Sequence, residues 1–178
     1  PGLGVGGAGI HWAAQTWRFY PSDMRYRSHH IERYGADRIP DGCTIQDWPL
    51  TYEELEPHYT QMEYDIGVAG VAGNLNGEIQ PGGNPFEGPR SKPYPLKPLV
   101  PSISAEMFSK ACTDLGLHPF RQPAAILSEG YQGLALKPRS GCLYCGFCTR
   151  YGCEVDAKAS AINVHIPVAL STGRYDIR

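Results

Sequence analysis

Residues 4–12 read GVGGAGIHW, and this glycine-rich run does most to decide how the chain is interpreted. Two overlapping G-x-G-x-x-G matches occur, at Gly2, Gly4 and Gly7 and at Gly4, Gly6 and Gly9. In a dinucleotide-binding fold this motif lies between a strand and a helix, where backbone N–H groups face a pyrophosphate. No strand pattern precedes the run, and Ile10-His11-Trp12 is a poor helix opening. The run therefore predicts either a backbone surface that approaches a flat or phosphorylated ligand, or a tight turn without a ligand.

The composition indicates a folded, loop-rich domain that wraps a cofactor. The chain has 178 residues, of which 21 are glycine and 16 are proline, and this combined share is well above the average of about 12%. Aromatic residues make up 11% of the chain, which argues against disorder. A net charge of −2 does not favour nucleic acid as a partner. The longest apolar run is too short to predict a membrane span.

Local signals predict two helices. In the first, Thr51 and Glu54 form a capping box, Gly67 ends the helix, and the internal Pro57 predicts a kink or two abutting pieces. The apolar residues at helical spacing in this helix are Leu55, Tyr59, Met62 and Ile66. The second helix is capped by Ser102 or Ser104 and ends at Gly116. Its predicted inward face consists of Ile103, Met107, Phe108, Ala111 and Leu115, and Cys112 is predicted to be a core thiol.

The other segments are predicted more coarsely. Residues 21–47 have no clean period, and residues 67–101 are predicted to form a long loop. Short strands are expected within residues 117–137, and a short helix is expected around residues 158–171. The last four residues alternate like the start of a strand, and with the glycine-rich opening they predict an interior piece of a longer protein. No βαβ repeat is complete, so the chain is predicted to be part of an α/β domain with an α+β insertion.

Residues 139–153, called the cysteine loop below, contain a dense group of four cysteines. Cys142, Cys145, Cys148 and Cys153 follow the pattern C-x2-C-x2-C-x4-C. Four thiolates at such spacing are suited to zinc or to an iron–sulfur cluster, although the last gap is longer than in bacterial ferredoxins. Disulfides and a reduced, glycine-supported turn are the alternatives, and the spacing leaves all of them open. Lys158, which follows the loop, is predicted to be an ordinary surface lysine, and the alternative is that it pairs with a carboxylate or with a phosphate of a bound cofactor.

Four stretches, in the same order, resemble the glucose–methanol–choline (GMC) oxidoreductase family. Residues 4–18 resemble its second flavin-contacting motif, and DWPLTYEELEP at residues 47–57 resembles its helix entry. Residues 141–158 resemble the cysteine loop of several bacterial branches, and residues 172–178 resemble the strand entry that returns to the flavin domain. The most similar branch is that of the gluconate, keto-gluconate and fructose dehydrogenase flavoprotein subunits.

This resemblance implies an incomplete FAD-binding, Rossmann-like domain with part of an inserted α+β substrate domain. Residues 1–66 would form the flavin-contacting loop and the helical part of the FAD-binding domain. Residues 67–137 would form the loop-rich insertion and the start of the substrate domain. Residues 138–178 would form the cysteine loop and the return to the FAD-binding domain.

The resemblance also implies cofactor sites. The residues expected to contact FAD are Gly4, Gly6, Gly7, His11, Trp12, Ala13 and Gln15. His11 is the candidate for a covalent bond to the flavin's dimethylbenzene methyl group, because a neutral imidazole has a free ring nitrogen; the alternative is a non-covalent contact. Some relatives hold a three-iron cluster near the cysteine loop, which makes Cys142, Cys145, Cys148 and Cys153 the candidate ligands of an iron–sulfur cluster.

The activity implied is oxidation of a CH–OH group of a sugar, polyol or sugar acid, with electrons passed to an acceptor other than oxygen. The family's catalytic base is a histidine near the C-terminus of the full enzyme, so no catalytic residue is assigned within this chain. The related branch implies a small subunit and a cytochrome c subunit as partners, and a periplasmic or membrane-associated location through them. The alternative function is a metal- or iron–sulfur-stabilised electron-transfer module without flavin.

Overall fold

A computed structural model describes residues 3–177. Its regular elements are the helices α1 (Pro21–Met24), α2 (Tyr26–Tyr34), α3 (Tyr52–Ile66), α4 (Ile103–Asp114) and α5 (His165–Ser171), the strands β1 (Asn74–Leu75) and β2 (Glu78–Ile79), and 3₁₀ turns at Gly7–Ile10 and Ala36–Arg38. Within the described range, no helix has the length and apolar character needed to cross a membrane. Helices combined with a small sheet agree with part of an α/β domain. The Rossmann-like arrangement and the domain boundaries stay predictions.

Helix α3 forms where the sequence predicts it because both of its ends carry strong local signals. Thr51 Oγ1 accepts a hydrogen bond from Glu54 N at 3.2 Å, and the Glu54 carboxylate accepts one from Thr51 N at 2.7 Å. Gly67 ends the helix with a left-handed φ of 76°. Pro57 lies inside one continuous helix, so the alternative of two abutting pieces is wrong.

The buried face of α3 is more polar than predicted. The fully buried residues of the helix are Tyr52, Thr60, Glu63 and Ile66. Ile66 was expected on the inward face, but Met62 is 47% exposed. Glu63 takes a buried position instead, because two buried arginines face this side of the helix, as described below.

Residues 21–47 fold into α1, α2 and a 3₁₀ turn, although their sequence shows no helical period. Pro21 occupies the first turn of α1, where its missing N–H is not needed. Asp23 accepts a hydrogen bond from Tyr20 N at 2.7 Å and thereby caps this turn. Capping therefore explains α1, whereas α2 has neither a side-chain cap at its start nor a buried residue.

A short hairpin interrupts the predicted loop over residues 67–101. β1 and β2 pair antiparallel, with Asn74 opposite Ile79 and Leu75 opposite Glu78. Asn76 and Gly77 connect them with φ values of 52° and 91°, as the Asn-Gly pair of a tight hairpin turn requires. This dipeptide was a sequence signal for a hairpin that the composition of the surrounding loop obscured.

Helix α4 has the predicted ends but not the predicted buried face. Ser102 Oγ accepts a hydrogen bond from Ala105 N at 3.2 Å, and Gly116 follows the helix with a φ of 73°. The side chains predicted to point inward are exposed: Ile103 by 77%, Met107 by 69%, Phe108 by 69% and Leu115 by 77%. Cys112 is only half-buried, so its assignment as a core thiol is wrong. The reason is that no helix or strand among residues 3–177 packs against α4.

The core is centred on residues 124–127, which are joined to two other segments by main-chain hydrogen bonds. Ala125 N donates to Ala14 O at 2.8 Å, and Leu127 N donates to Ala157 O at 3.0 Å. The side chains of Ala14, Ala125, Leu127 and Ala157 are completely buried. The small alanine side chains allow the three segments to approach closely. As a result, the segment after the glycine-rich run and the segment after the cysteine loop are both hydrogen-bonded to residues 124–127.

Regular strands are fewer than predicted. Within residues 117–137 the structure has only isolated bridges, which involve Ala124, Ile126 and Tyr131. The half-strand predicted at the last four residues is not formed by residues 175–177 within the described chain, and Arg178 lies outside it. A strand requires a continuous paired neighbour, and these segments find partners at single positions. The helix predicted around residues 158–171 is confirmed in its second half, as α5.

Candidate functional site

The glycine-rich run is held in a conformation that only glycine adopts easily. Gly6 and Gly7 have φ values of 90° and 53°, which are strained for residues with a side chain. A Cβ on Gly6 would also lie 2.5 Å from the side chain of Ile162. Glycine is therefore required at position 6 by both backbone conformation and packing, and at position 7 by backbone conformation.

Gly4 and Gly9 have no such explanation within the chain. Neither has a φ in the left-handed region, and a Cβ on either would meet no atom within 4 Å. Gly4 O and Gly9 N are hydrogen-bonded within the turn, but the space that a side chain would fill at each glycine is open, which suits close approach by a flat or phosphorylated ligand. Gly2, the first glycine of the other motif match, lies outside the described residues.

His11 and Trp12, called the His–Trp turn below, follow this run directly. The His11 side chain is exposed, and His11 O accepts a hydrogen bond from Arg150 N of the cysteine loop at 3.1 Å. Trp12 packs partly against the core, and its Nε1 donates to Ala159 O at 2.8 Å. The turn is thus fixed by its backbone and indole, while the imidazole is free to meet a ligand. Of the other predicted cofactor contacts, Ala13 is half-buried and Gln15 is exposed.

Lys158 joins the His–Trp turn to the cysteine loop. Its ammonium group donates hydrogen bonds to Trp12 O at 2.9 Å, Cys148 O at 2.8 Å and Tyr151 O at 2.6 Å. The side chain is almost fully buried, with 2% exposure, so the prediction of a surface lysine is wrong. Among residues 3–177, no carboxylate forms an ion pair with it.

A second buried cation lies beside the other end of the cysteine loop. Arg139 donates through Nη2 to Ile66 O and through Nη1 to Asp156 O at 3.3 Å. Its buried Nε has no hydrogen-bond partner within the described residues. Burial lowers the pKa of Arg139, and the nearby Asp156 charge offsets part of this effect. Both buried cations of this region are therefore bound by carbonyl groups rather than by a paired carboxylate.

The four cysteines of the loop are free thiols in the structure. Cys142, Cys148 and Cys153 pack partly against the core, and Cys145 is exposed. Burial raises the pKa of the Cys148 thiol, the other three thiols raise it further, and Lys158 opposes the change. No group of three or more metal-ligating side chains in the described part of the chain is placed to hold a metal ion. Zinc and iron–sulfur ligation by this loop stay predictions, as does the flavin-contacting role of the glycine-rich run.

A separate set of buried charges, called the charge network below, lies beside α3. Arg18 donates to Glu63 through Nε at 2.8 Å and Nη2 at 2.7 Å, and to Glu56 through Nη1 at 3.0 Å. Arg90 donates to Glu63 from the other side and lies 3.8 Å from Glu87. In this network each buried guanidinium faces at least two carboxylates, so the charges are matched within the chain.

The ionisation of the network reflects this pairing. Burial alone would lower the pKa of Arg18, but the hydrogen bonds and charge of Glu63 hold it above its usual value. Burial would raise the pKa of Glu56, but hydrogen bonds from Ser91, Thr60 and Arg18 together lower it to about 2. Burial raises the pKa of Glu87. Sequence reasoning missed this network, although the polar residues 56, 60 and 63 recur at helical spacing on α3.

Comparisons with known proteins place this arrangement among flavoproteins. The chain is 39% identical over its whole length to the gluconate 2-dehydrogenase flavoprotein of Pantoea cypripedii and spans 29% of that protein. It is 33% identical over 73% of its length to the fructose dehydrogenase large subunit of Gluconobacter japonicus, spanning 20% of that protein. It is 27% identical over 98% of its length to the paromamine 6'-oxidase of Streptomyces fradiae, spanning 26% of it. No protein-family model matches the chain.

These relatives are dehydrogenases and an oxidase, so the class of the chain is that of the oxidoreductases. Within this class, the chain belongs to the glucose–methanol–choline oxidoreductase family, together with the gluconate and fructose dehydrogenase flavoproteins. The resemblance carried by its motifs is thereby confirmed. The chain spans less than a third of the length of each of these relatives.

Proposed function

We propose that this chain is part of an FAD-dependent dehydrogenase that oxidises a CH–OH group of a sugar, polyol or sugar acid. When bound, the flavin supplies the hydride acceptor for this reaction. The observation that carries the proposal is the exposed His11, which directly follows a glycine-rich run in which Gly4 and Gly9 have open space where a side chain would be. The relatives named as flavoproteins and sugar dehydrogenases support the same assignment.

The chain's own residues would bind and orient the cofactor. The open space over Gly4 and Gly9 leaves room for close approach of a flat ring or a phosphate. Two hydrogen bonds hold the His–Trp turn in place, one from Trp12 Nε1 to Ala159 O and one from Lys158 Nζ to Trp12 O. The catalytic base is proposed to lie outside this chain, which accounts for the absence of an assigned acid–base group here.

We further propose that His11 bonds covalently to the flavin. The imidazole is exposed, whereas the backbone that carries it is anchored at His11 O and Trp12 O. With flavin bound, a free ring nitrogen on this fixed turn would form the N–C bond in place of one methyl C–H bond. The proton would be released, and the two electrons would stay on the flavin until the enzyme's electron acceptor removes them. Non-covalent contact of the same imidazole with the ring is the alternative outcome.

The experiment is a visible spectrum of the full-length protein, repeated after acid precipitation. Flavin bands that stay with the pellet in wild type and move to the supernatant in His11→Ala would support the covalent bond. His58→Ala, an exposed histidine on α3, is the matched control and should keep the flavin in the pellet. Wild-type protein that is folded but holds no flavin would overturn the proposed function and favour the electron-transfer module.

The four cysteines of the loop are proposed as ligands of an iron–sulfur cluster in the complete protein. The support for this ligand set is the spacing of the four cysteines in the sequence, since the described residues contain no group of three side chains already placed to hold a metal ion. Iron and acid-labile sulfide would be measured in wild type, in Cys148→Ser and in the control Cys43→Ser. Cys43 is exposed and remote in sequence from the loop, so it should leave the content unchanged. Absence of iron in flavin-loaded wild type would remove the cluster and retain the flavoprotein.

The electron acceptor and the partners are the remaining parts of the proposal. We propose an acceptor other than oxygen, a small subunit and a cytochrome c subunit, and a periplasmic or membrane-associated location through them. The name of the fructose dehydrogenase large subunit, which implies further subunits in that protein, supports this. Substrate-dependent dye reduction that exceeds oxygen uptake would support the acceptor assignment, and the reverse would indicate an oxidase. Copurification of a haem c protein with the native enzyme tests the partners.

A further inference from the structure

Lys158 is the buried charge of this chain that most requires an explanation. Its ammonium group is held by three main-chain carbonyls, and no described carboxylate pairs with it. A buried charge is costly unless an opposite charge compensates it. Carbonyl dipoles satisfy its hydrogen bonds, but they carry no net charge to neutralise it. The region therefore keeps an excess positive charge when no ligand is bound.

The position of this charge connects it to the His–Trp turn. Lys158 Nζ lies 2.9 Å from Trp12 O, one residue after His11. The second and third bonds reach Cys148 O and Tyr151 O, and Arg150 N of the same loop binds His11 O. One ammonium group thus fixes the cysteine loop against the turn from which the imidazole projects.

Other charged groups near the turn do not neutralise Lys158. Arg139 is a buried cation with the same carbonyl-only bonding, so it adds to the positive charge. The Asp156 carboxylate instead accepts a hydrogen bond from Asn163 at 3.2 Å. Asn163 is neutral and donates to the main-chain carbonyl of Lys158 at 2.9 Å. Among the described residues, no carboxylate therefore forms an ion pair with Lys158.

We propose that Lys158 is a positioning residue for the flavin-binding turn and that its charge favours the reduced flavin, raising the flavin's midpoint potential. Reduction adds negative charge to the ring, and a nearby cation in a region of low dielectric stabilises that added charge. This inference rests on the proposed flavin site. Lys158 would act on the cofactor in two ways. It holds the His–Trp turn in position, and its positive charge stabilises the reduced flavin.

The test compares variants of the full-length, flavin-loaded protein by redox titration of the flavin bands. Lys158→Gln removes the charge but keeps an amide donor for the carbonyls, and it is expected to lower the midpoint potential. Lys158→Arg keeps the charge and should remain near the wild-type potential. Lys110→Met removes a lysine charge that is exposed on α4, and Asn163→Ala weakens the same segment without changing charge. Both controls should shift the potential less than Lys158→Gln does.

Each outcome decides the inference. A lower potential in Lys158→Gln and recovery in Lys158→Arg support it. An unchanged potential in flavin-loaded Lys158→Gln overturns it and leaves a structural lysine, as does an equal shift in Asn163→Ala. If Lys158→Gln does not retain flavin, Lys158→Arg decides: a midpoint potential equal to that of wild type supports the electrostatic role, and a potential lower than that of Asn163→Ala rejects it. Wild type without flavin would instead reject the proposed function itself.

Discussion

Arg18 and Arg90 beside α3, and Lys158 beside the cysteine loop, are all buried cations, yet only the arginines face carboxylates. In the charge network, the Glu63 carboxylate lies between the two guanidinium groups and accepts hydrogen bonds from both. At Lys158 the partners are carbonyl oxygens alone. The difference separates a cluster whose charges are paired among the described residues from a buried ammonium group that is held by carbonyls alone.

This comparison also separates two kinds of stabilisation. A buried ion pair is seldom more stabilising than an apolar replacement of both partners, but removal of one partner is strongly unfavourable. Replacing a buried lysine that is bound only by carbonyls also removes the free-energy cost of burying its charge. The remaining loss of stability comes from the carbonyls, which no longer have a hydrogen-bond donor. The following substitutions measure this difference, from the largest expected effect to the smallest.

Glu63→Gln is expected to have the largest effect on stability. The substitution leaves Arg18 and Arg90 buried with one carboxylate fewer, and breaking such a pair costs about 3 kcal/mol of unfolding free energy. Urea denaturation of the full-length protein measures this. Glu32→Gln is the matched control, because its ion pair with Arg25 is exposed and is worth about 0.5 kcal/mol. Equal losses in the two variants would show that the charge network does not stabilise the fold.

Lys158→Met is expected to have an intermediate effect. The carbonyls of Trp12, Cys148 and Tyr151 lose their donor, and we expect a loss of about 2 kcal/mol, reduced by the removal of a buried charge. Thermal unfolding of the full-length protein followed by circular dichroism measures the shift. Lys110→Met on α4 is the control and should change the midpoint little, because this side chain is 76% exposed. A loss of stability larger than that of Glu63→Gln would show that the carbonyl-bound ammonium group stabilises the fold more than the charge network does.

Glu56→Gln is expected to alter the pH dependence of stability. The pKa of Glu56 is about 2 in the folded state against an ordinary value of 4.5. A carboxyl group with a lowered pKa contributes stability that is complete above its unfolded pKa and is lost as pH falls toward the folded pKa. The unfolding free energy of wild type should therefore fall between about pH 4.5 and pH 2, and that of Glu56→Gln should fall less steeply. Glu53→Gln, exposed on the same helix, should retain the wild-type slope.

Tyr144→Phe is expected to have the smallest effect. Tyr144 Oη accepts a hydrogen bond from Val100 N at 3.1 Å, and both residues are exposed. Water can replace this acceptor, so we expect a loss of no more than about 0.5 kcal/mol in the same thermal measurement. A loss comparable to that of Lys158→Met would mean that this exposed contact, and not the buried ammonium, holds the cysteine loop in place.

The sequence predicts best those features that depend on neighbouring residues. Thr51 and Glu54 cap α3, and Ser102 and Gly116 bound α4, because each cap is formed within a few positions of the chain. The same reasoning fails for the buried faces, because burial depends on what the rest of the protein places against a helix. Thus the apolar side of α4 is exposed among the described residues.

The candidate site was predictable as a set of segments but not as a geometry. The motifs placed the His–Trp turn and the cysteine loop in one family, and the relatives confirm that family. The burial of Lys158 was not predictable, because it results from carbonyl groups that lie 7, 10 and 146 positions away in sequence. The charge network depends in the same way on Arg18, Glu63 and Arg90, which are distant in sequence.

The bonds that join Trp12 to Lys158 and Ala159 also bear on the order of folding. They close a loop of 146 or 147 positions, and such long closures form after the local helices because the chain must first lose much of its freedom. The His–Trp turn is therefore completed late, when the segment after the cysteine loop has reached the core. Under the proposed function, a flavin that requires this turn would meet a nearly folded protein, so flavin incorporation should report on the last steps of folding rather than initiate them.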